Sequence, residues 1–102
     1  MSANNDVSIT HQLPEYKWSN EETAAYEAAV EAVNGAVGAY SALIAAEEKK
    51  SEPDPGRIGK AREAQSRLAR DRERLRSADA QQIADARAHY AALARDVLAS
   101  VA

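Results

Sequence analysis

The stretch YEAAVEAVNGAVGAYSALIAA, residues 26–46, decides the fold of this 102-residue chain. Large apolar side chains recur in it at alternating steps of four and three residues, which is the heptad pattern of a helix that packs along one side. These residues are Tyr26, Val30, Val33, Val37, Tyr40 and Ile44. A second stripe holds only small residues, namely Ala25, Ala28, Ala32, Gly35, Ala39, Ala42 and Ala46. The two stripes together predict a helix with more than one neighbour.

The first helix is predicted over about residues 20–50. Glu21 and Glu22 stand where the positive end of the helix dipole favours acidic side chains. Lys49 and Lys50 stand near the negative end, where basic side chains are favoured.

The remaining segments complete the predicted organisation. Residues 51–56, SEPDPG, contain two prolines and a glycine and predict a turn. A second helix is predicted over about residues 57–100, with an apolar stripe that falls out of step near Ser77, so the helix either kinks there or changes its partner. Residues 1–18 show no helical period and predict an irregular arm, followed by a helical domain over residues 19–102. The predicted fold is all-α, an antiparallel helical hairpin.

The predicted hairpin has a definite register. Folding the second helix back about the turn brings Tyr40 opposite Leu68. Charge favours the same pairing, because residues 1–54 hold three basic and ten acidic side chains, whereas residues 55–102 hold ten basic and six acidic ones.

A hairpin in this register leaves an apolar stripe on the C-terminal part of the second helix uncovered. An exposed apolar ridge of that length is typical of an interaction surface. The sequence therefore predicts a non-enzymatic interaction module, such as an adaptor, a regulatory subunit or an antitoxin or immunity-type inhibitor. The stripe would be covered by the N-terminal arm of the chain, by a larger protein, or by a second copy that completes a helical bundle, and the arm would contribute to binding. The predicted protein-binding residues are Tyr16, Trp18, Ile83, Tyr90, Leu93, Val97 and Val101.

Arg72 is a separate candidate because it is a charged residue on the predicted seam, opposite Gly35 and Gly38. The hypothesis is that a half-buried Arg72 pairs with a partner's carboxylate, or with Asp79 or Glu31, and thereby fixes the register of packing.

An alternative function is nucleic-acid binding through the arginine-rich second helix. One helical face would hold Lys60, Arg67, Arg70 and Arg74, which is a pattern able to follow a phosphate backbone. Two observations oppose it. Glu63 and Asp71 lie four residues from Arg67 on either side and are predicted to pair with it, and the chain has a net charge of −3.

Several kinds of chemistry are excluded or made improbable by composition. The chain has no cysteine, which excludes disulfides, thiolate catalysis and cysteine-based zinc sites. Asp85 and His89 could share a helix face, but a metal site needs three or four ligands. We therefore predict no metal, no cofactor and no enzymatic activity. No apolar run approaches about 18 residues and no signal peptide is apparent, so the sequence predicts no membrane span and a cytoplasmic location.

The overall plan, about 100 residues in a helical hairpin without cysteine, resembles the small secreted WXG100 proteins of actinobacterial secretion systems. The resemblance implies a secreted hairpin as a further alternative. The chain departs from the family pattern at its motifs, because the turn over residues 51–57 reads SEPDPGR rather than Trp-x-Gly and Trp18 precedes the first helix. Tyr90 is followed four residues later by Ala94 instead of an acidic residue. Abundant alanine and arginine are typical of a high-GC bacterial or phage genome.

Overall fold

The computed structural model describes residues 20–101, which form three helices and no strand. Helix α1 spans Asn20–Glu48, α2 spans Pro55–Glu73 and α3 spans Ala80–Val101. The prediction of an all-α fold is confirmed. The prediction of a two-helix hairpin is wrong, because the chain reverses direction a second time between α2 and α3.

Helices α1 and α2 are antiparallel neighbours in the predicted register. The side chain of Gln65 ties them together, since its Nε2 donates to the carbonyl oxygen of Val37 at 3.0 Å and to the hydroxyl of Ser41 at 2.9 Å. Leu68 is buried in a cluster against which Tyr40 packs, as the sequence predicted.

Helices α1 and α3 run parallel to each other. Near the start of both helices, Ile83 shares a buried cluster with Ala29. Near their ends, Val97 shares a cluster with Ala39 and Leu43. The C-terminal part of the chain therefore lies along the whole of α1, and the prediction that it lacks an intramolecular partner is wrong.

The most deeply buried part of α1 lies between its two stripes. Ala29, Val33 and Ala36 are fully buried there. The bulky stripe contributes Val33 to a cluster with Leu68 of α2, while the small stripe contributes Ala39 to the cluster that includes α3. The prediction that α1 has more than one neighbour is confirmed, because α1 packs against both α2 and α3.

Helix α2 begins at Pro55, two residues earlier than the sequence predicted. Asp54 caps it, since one carboxylate oxygen accepts the backbone N–H groups of Gly56 at 2.9 Å and of Arg57 at 3.2 Å. Proline is well suited to the first helical position because it has no N–H group that would need a partner. A capping aspartate followed by proline thus begins the helix inside the segment predicted as a turn.

Glu47 is a buried carboxylate that joins the first turn to the helices around it. Its side chain accepts the backbone N–H of Asp54 at 3.0 Å and the Lys50 ammonium at 3.0 Å, and it lies 3.7 Å from the Arg57 guanidinium. Arg57 in turn donates to the carbonyl oxygen of Ser100 near the end of α3, at 3.3 Å. The hydrogen bond from Lys50, followed by that from Asp54, holds the pKa of Glu47 below its usual value.

The second reversal is built by Asp79 and Gln82. A carboxylate oxygen of Asp79 accepts the backbone N–H of Gln82 at 3.0 Å and so caps α3. The Gln82 amide accepts the backbone N–H of Arg76 at 2.8 Å and donates to the carbonyl oxygen of Arg74 at 3.1 Å. The predicted continuous helix over residues 57–100 is therefore broken close to Ser77, and Asp79 is the residue that starts the next helix.

Helix α1 is long and apolar enough to cross a membrane by length and composition alone, with a mean hydropathy of 1.3 in an 18-residue window. A core helix of a globular protein can meet the same measure. In this structure 28% of the window is buried. In the structure α1 supplies buried residues to the contacts with both α2 and α3.

Gly38 offers a test of this packing. It is exposed in the interior of α1, and a Cβ atom added to it meets nothing within 4 Å. Because glycine costs a helix interior roughly 0.5–1 kcal/mol relative to alanine, we expect Gly38→Ala to raise the free energy of unfolding by about that amount. Urea denaturation followed by circular dichroism measures the change. A decrease in stability would mean that this face of α1 is packed in solution.

Candidate protein-binding groove

The structure places most of the predicted protein-binding residues in the core. Ile83 and Val97 are buried, and Tyr90, Leu93 and Val101 are half-buried against clusters that α1 shares with α2 or α3. Their role as exposed anchors loses its basis because the second reversal folds their stripe onto α1. The other two predicted anchors, Tyr16 and Trp18, lie outside the described residues.

A groove follows α2 along its length. Helices α2 and α3 both pack on α1 but make little contact with each other. The Tyr90 hydroxyl donates to Asp71 at 3.0 Å, and at the other end Arg57 reaches Ser100. Together with α2, the groove is lined by α1 near the start of α2, by both α1 and α3 in the middle, and by α3 near the end of α2.

Three adjoining open cavities form this groove, with volumes of about 590, 250 and 450 Å³. The first and second share Asp71, His89 and Tyr90, whereas the second and third share Tyr40, Ala64 and Arg67. The base of the groove is largely apolar and consists of Tyr40, Leu43, Ala61, Ala64, Leu68 and Leu93.

The charges of the groove differ between its two ends. The end near the start of α2, called here the basic end, is lined by Arg57, Lys60 and Arg67, with Glu63 as its one acidic residue. The opposite end, called here the acidic end, is lined by three carboxylates and one arginine, namely Asp71, Asp79, Asp85 and Arg74. A ligand lying along the groove would meet cations at one end and carboxylates at the other.

The four residues of the nucleic-acid alternative are divided by the structure. Lys60, Arg67, Arg70 and Arg74 are all exposed. Lys60 and Arg67 line the basic end of the groove and Arg74 lines its acidic end, whereas Arg70 lines neither. All four are exposed on α2 or, for Arg74, at its C-cap, and their assignment to nucleic-acid binding stays a prediction.

The predicted ion pairs of Arg67 with Glu63 and Asp71 are absent. Asp71 instead accepts the hydroxyl of Tyr90 and lies 3.9 Å from Arg74. Within the described part of the chain, neither Lys60 nor Arg67 has an ion pair. Both cations therefore remain available at the edge of the groove.

Arg72 is half-buried, as predicted, but its partner differs from those predicted. Its guanidinium donates to the side-chain oxygen of Asn34 at 2.6 Å. Among residues 20–101 it forms no ion pair with Asp79 or Glu31, so that part of the hypothesis is wrong. The contact with Asn34 joins α2 to α1 in the register that the hypothesis invoked.

Asp85 and His89 do not form the pair that their spacing suggested. Asp85 accepts from the Gln81 amide at 2.9 Å, and the His89 ring packs edge-on against Tyr90 with ring centres 4.8 Å apart. No group of three His, Asp or Glu side chains able to hold a metal ion occurs in the described segment.

The bond between Tyr90 and Asp71 is the main polar link across the groove. Partial burial, and then the hydrogen bond to Asp71, raise the pKa of the Tyr90 hydroxyl above its usual value. The phenol therefore stays protonated and remains a donor throughout the neutral range.

We expect Tyr90→Phe to lower the free energy of unfolding by about 1 kcal/mol, because it removes one hydrogen bond to a charged acceptor and keeps the ring. Chemical denaturation gives the value. Tyr26→Phe is the matched control, since Tyr26 is also half-buried and its hydroxyl has no hydrogen-bond partner in residues 20–101. Equal effects of the two substitutions would contradict a role for the Asp71 bond.

Comparison of the chain with protein-family models, curated proteins and solved structures finds no match. The two-helix plan that carried the resemblance to the WXG100 proteins also does not hold, because the described residues form three helices.

Proposed function

We propose that the chain is a cytoplasmic, non-enzymatic helical module that binds another protein through the groove along α2. An adaptor, a regulatory subunit and an immunity-type inhibitor all fit this mechanism. The surface differs from the one predicted from the sequence, because the C-terminal apolar stripe now belongs to the core.

The observation that carries the proposal is the open groove along α2, which α1 bounds at one end and α3 at the other. Its apolar floor is flanked by charged side chains, which is the arrangement of a surface that receives an amphipathic helix. Tyr40, Tyr90 and Leu93 are half-buried along this groove. Aromatic residues at such positions contribute a large share of binding energy in protein complexes.

The polar groups of the groove suit recognition better than catalysis. Here the charged side chains Lys60, Arg67 and Asp85 stand exposed at the rim, where they are placed to pair with charges on a partner.

Site-specific photocrosslinking tests the proposal. The photoreactive residue benzoylphenylalanine is placed at Glu63 or His89, which are exposed residues lining opposite ends of the groove. Ala45, exposed on α1, is the control position. After irradiation in cells that express the protein naturally, mass spectrometry should identify the same partner protein from both groove positions and not from Ala45. No adduct from the groove, or stronger adducts from Ala45, would reject the proposal.

A further inference from the structure

We infer that the groove binds an amphipathic helix of a different protein. The half of this helix that lies beside the basic end of the groove carries acidic side chains, and the half beside the acidic end carries basic side chains. This inference rests on the proposed function and specifies the chemistry and the direction of the bound helix. It is drawn from the charges that line the groove, from the spacing of two cations on α2, and from how few large apolar side chains are exposed among the described residues.

The first argument is the separation of charge along the groove. Three cations and one carboxylate line the basic end, whereas three carboxylates and one arginine line the acidic end. A helix that carries one sign of charge along its length would be attracted at one end and repelled at the other. A helix with acidic and basic halves is attracted at both, and the charges then fix its direction.

The second argument concerns the free cations. Lys60 and Arg67 are seven residues apart on α2 and have no ion pair within residues 20–101. Seven residues are two helical turns, about 10 Å along the axis. Carboxylates at the same heptad spacing on an adjacent helix lie at matching heights, which is how flanking charges select partners in helical bundles.

The third argument disfavours residues 20–101 of a second copy as the occupant. A helix that fills an apolar groove must bring an apolar ridge of its own. In the described segment Leu98 is the only exposed large hydrophobic residue, since the apolar faces of all three helices are used within the chain. A partner from another protein meets the requirement.

The same groove disfavours a nucleic acid. Asp79 and Asp85 line it together with Arg67 and Lys60. A continuous phosphate backbone following α2 toward the second reversal would approach these carboxylates. A helix with charges of both signs does not meet this repulsion.

Binding of designed peptides to the full-length protein tests the inference. Three fluorescein-labelled 18-residue helices share one Leu and Ala face. The first carries Glu in its N-terminal half and Lys in its C-terminal half, the second carries only Glu and the third only Lys. Fluorescence anisotropy at physiological salt should show the tightest binding for the first peptide, by about tenfold over the other two.

Two matched variants identify the surface. Arg67 and Arg70 are exposed arginines without an ion pair in residues 20–101, three positions apart on α2, but only Arg67 lines the groove. We expect Arg67→Glu to weaken binding of the first peptide, which carries both Glu and Lys, about tenfold and to improve binding of the Lys peptide. Arg70→Glu should change the affinity of either peptide by less than about twofold. Circular dichroism confirms that both variants are folded.

Every other result overturns the inference. The inference fails if none of the three peptides binds, or if Arg67→Glu and Arg70→Glu have equal effects. It also fails if light scattering shows a dimer that Arg67→Glu dissociates, or if a 20-base-pair DNA duplex binds more tightly than the peptides. The proposed function fails separately. If groove photocrosslinks to a partner persist in Arg67→Glu, the groove is a binding surface and only the chemistry assigned to its occupant is wrong.

Discussion

Val97→Asp is expected to unfold the protein, whereas the same substitution at the adjacent Leu98 should leave it folded. Val97 is 8% exposed and belongs to the cluster with Ala39 and Leu43, but Leu98 is 49% exposed. An aspartate at this buried position loses the hydration of its charge, so we expect a loss of roughly 4 kcal/mol, which is most of the stability of a small domain. At Leu98 we expect a loss below about 1 kcal/mol.

Thermal unfolding followed by circular dichroism separates the two variants directly. The comparison also decides between two descriptions of the C-terminal segment. If α3 were an exposed binding ridge, Val97→Asp would leave the chain folded and would affect only association. A folded Val97→Asp protein with an unchanged melting temperature would therefore contradict the packing of α3 on α1.

Glu47→Ala should produce the second largest loss of stability. The substitution leaves the backbone N–H of Asp54 without its acceptor and removes the carboxylate that faces Lys50 and Arg57. We expect the melting temperature to fall by several degrees. Glu48→Ala is the matched control, because the Glu48 side chain is 54% exposed and its one ion pair, with Arg62, is also at the surface. Similar losses at the two positions would show that Glu47 is not the anchor of the first turn.

The stabilisation by Glu47 should depend on pH in a definite direction. Its pKa in the folded chain is lowered, principally by the hydrogen bond from Lys50. A carboxylate with a lowered pKa stabilises the folded state above its unfolded pKa, and that contribution disappears as pH falls through the folded pKa. The melting temperatures of the wild type and Glu47→Gln should differ at pH 7 and converge in strongly acidic solution. A difference that persists unchanged there would contradict the assignment.

The sequence predicts α1 and its contact with α2 well, because both depend on regular local patterns. The two stripes of α1 continue over several heptads, so the number of neighbours and the pairing of Tyr40 with Leu68 follow from them. The start of α2 was predicted two residues late. The cause was that Asp54 and Pro55 were assigned to the turn, although an aspartate followed by proline is also a helix start.

The second reversal was harder to predict because it contains neither glycine nor proline. Its signal is the pair Asp79 and Gln82, three residues apart, which has the spacing of a capping box. The change of the apolar stripe near Ser77 was recognised, but a kink or a change of partner explained it equally well in sequence terms. Without the reversal the sequence predicts Ile83 and Val97 as exposed anchors, whereas both are buried.

The groove itself has no signal in the local sequence. It exists because of the way α1, α2 and α3 pack on one another, and this packing depends on contacts between distant residues. Asp71 illustrates the difficulty. Its spacing from Arg67 predicted a pair within one helix, yet its carboxylate turns to Tyr90 of another helix.

The parallel arrangement of α1 and α3 has a mechanical consequence. Residue 20 begins α1 at one end of the helical assembly, while residue 101 ends α3 at the other. A pulling force applied between these two points acts along the helix axes and slides α1 against α3. The clusters around Ile83 and Val97 are then loaded at the same time and both oppose the sliding of α1 against α3. The chain should therefore withstand a larger force between these points than an antiparallel helix pair, whose contacts are broken one after another from its open end.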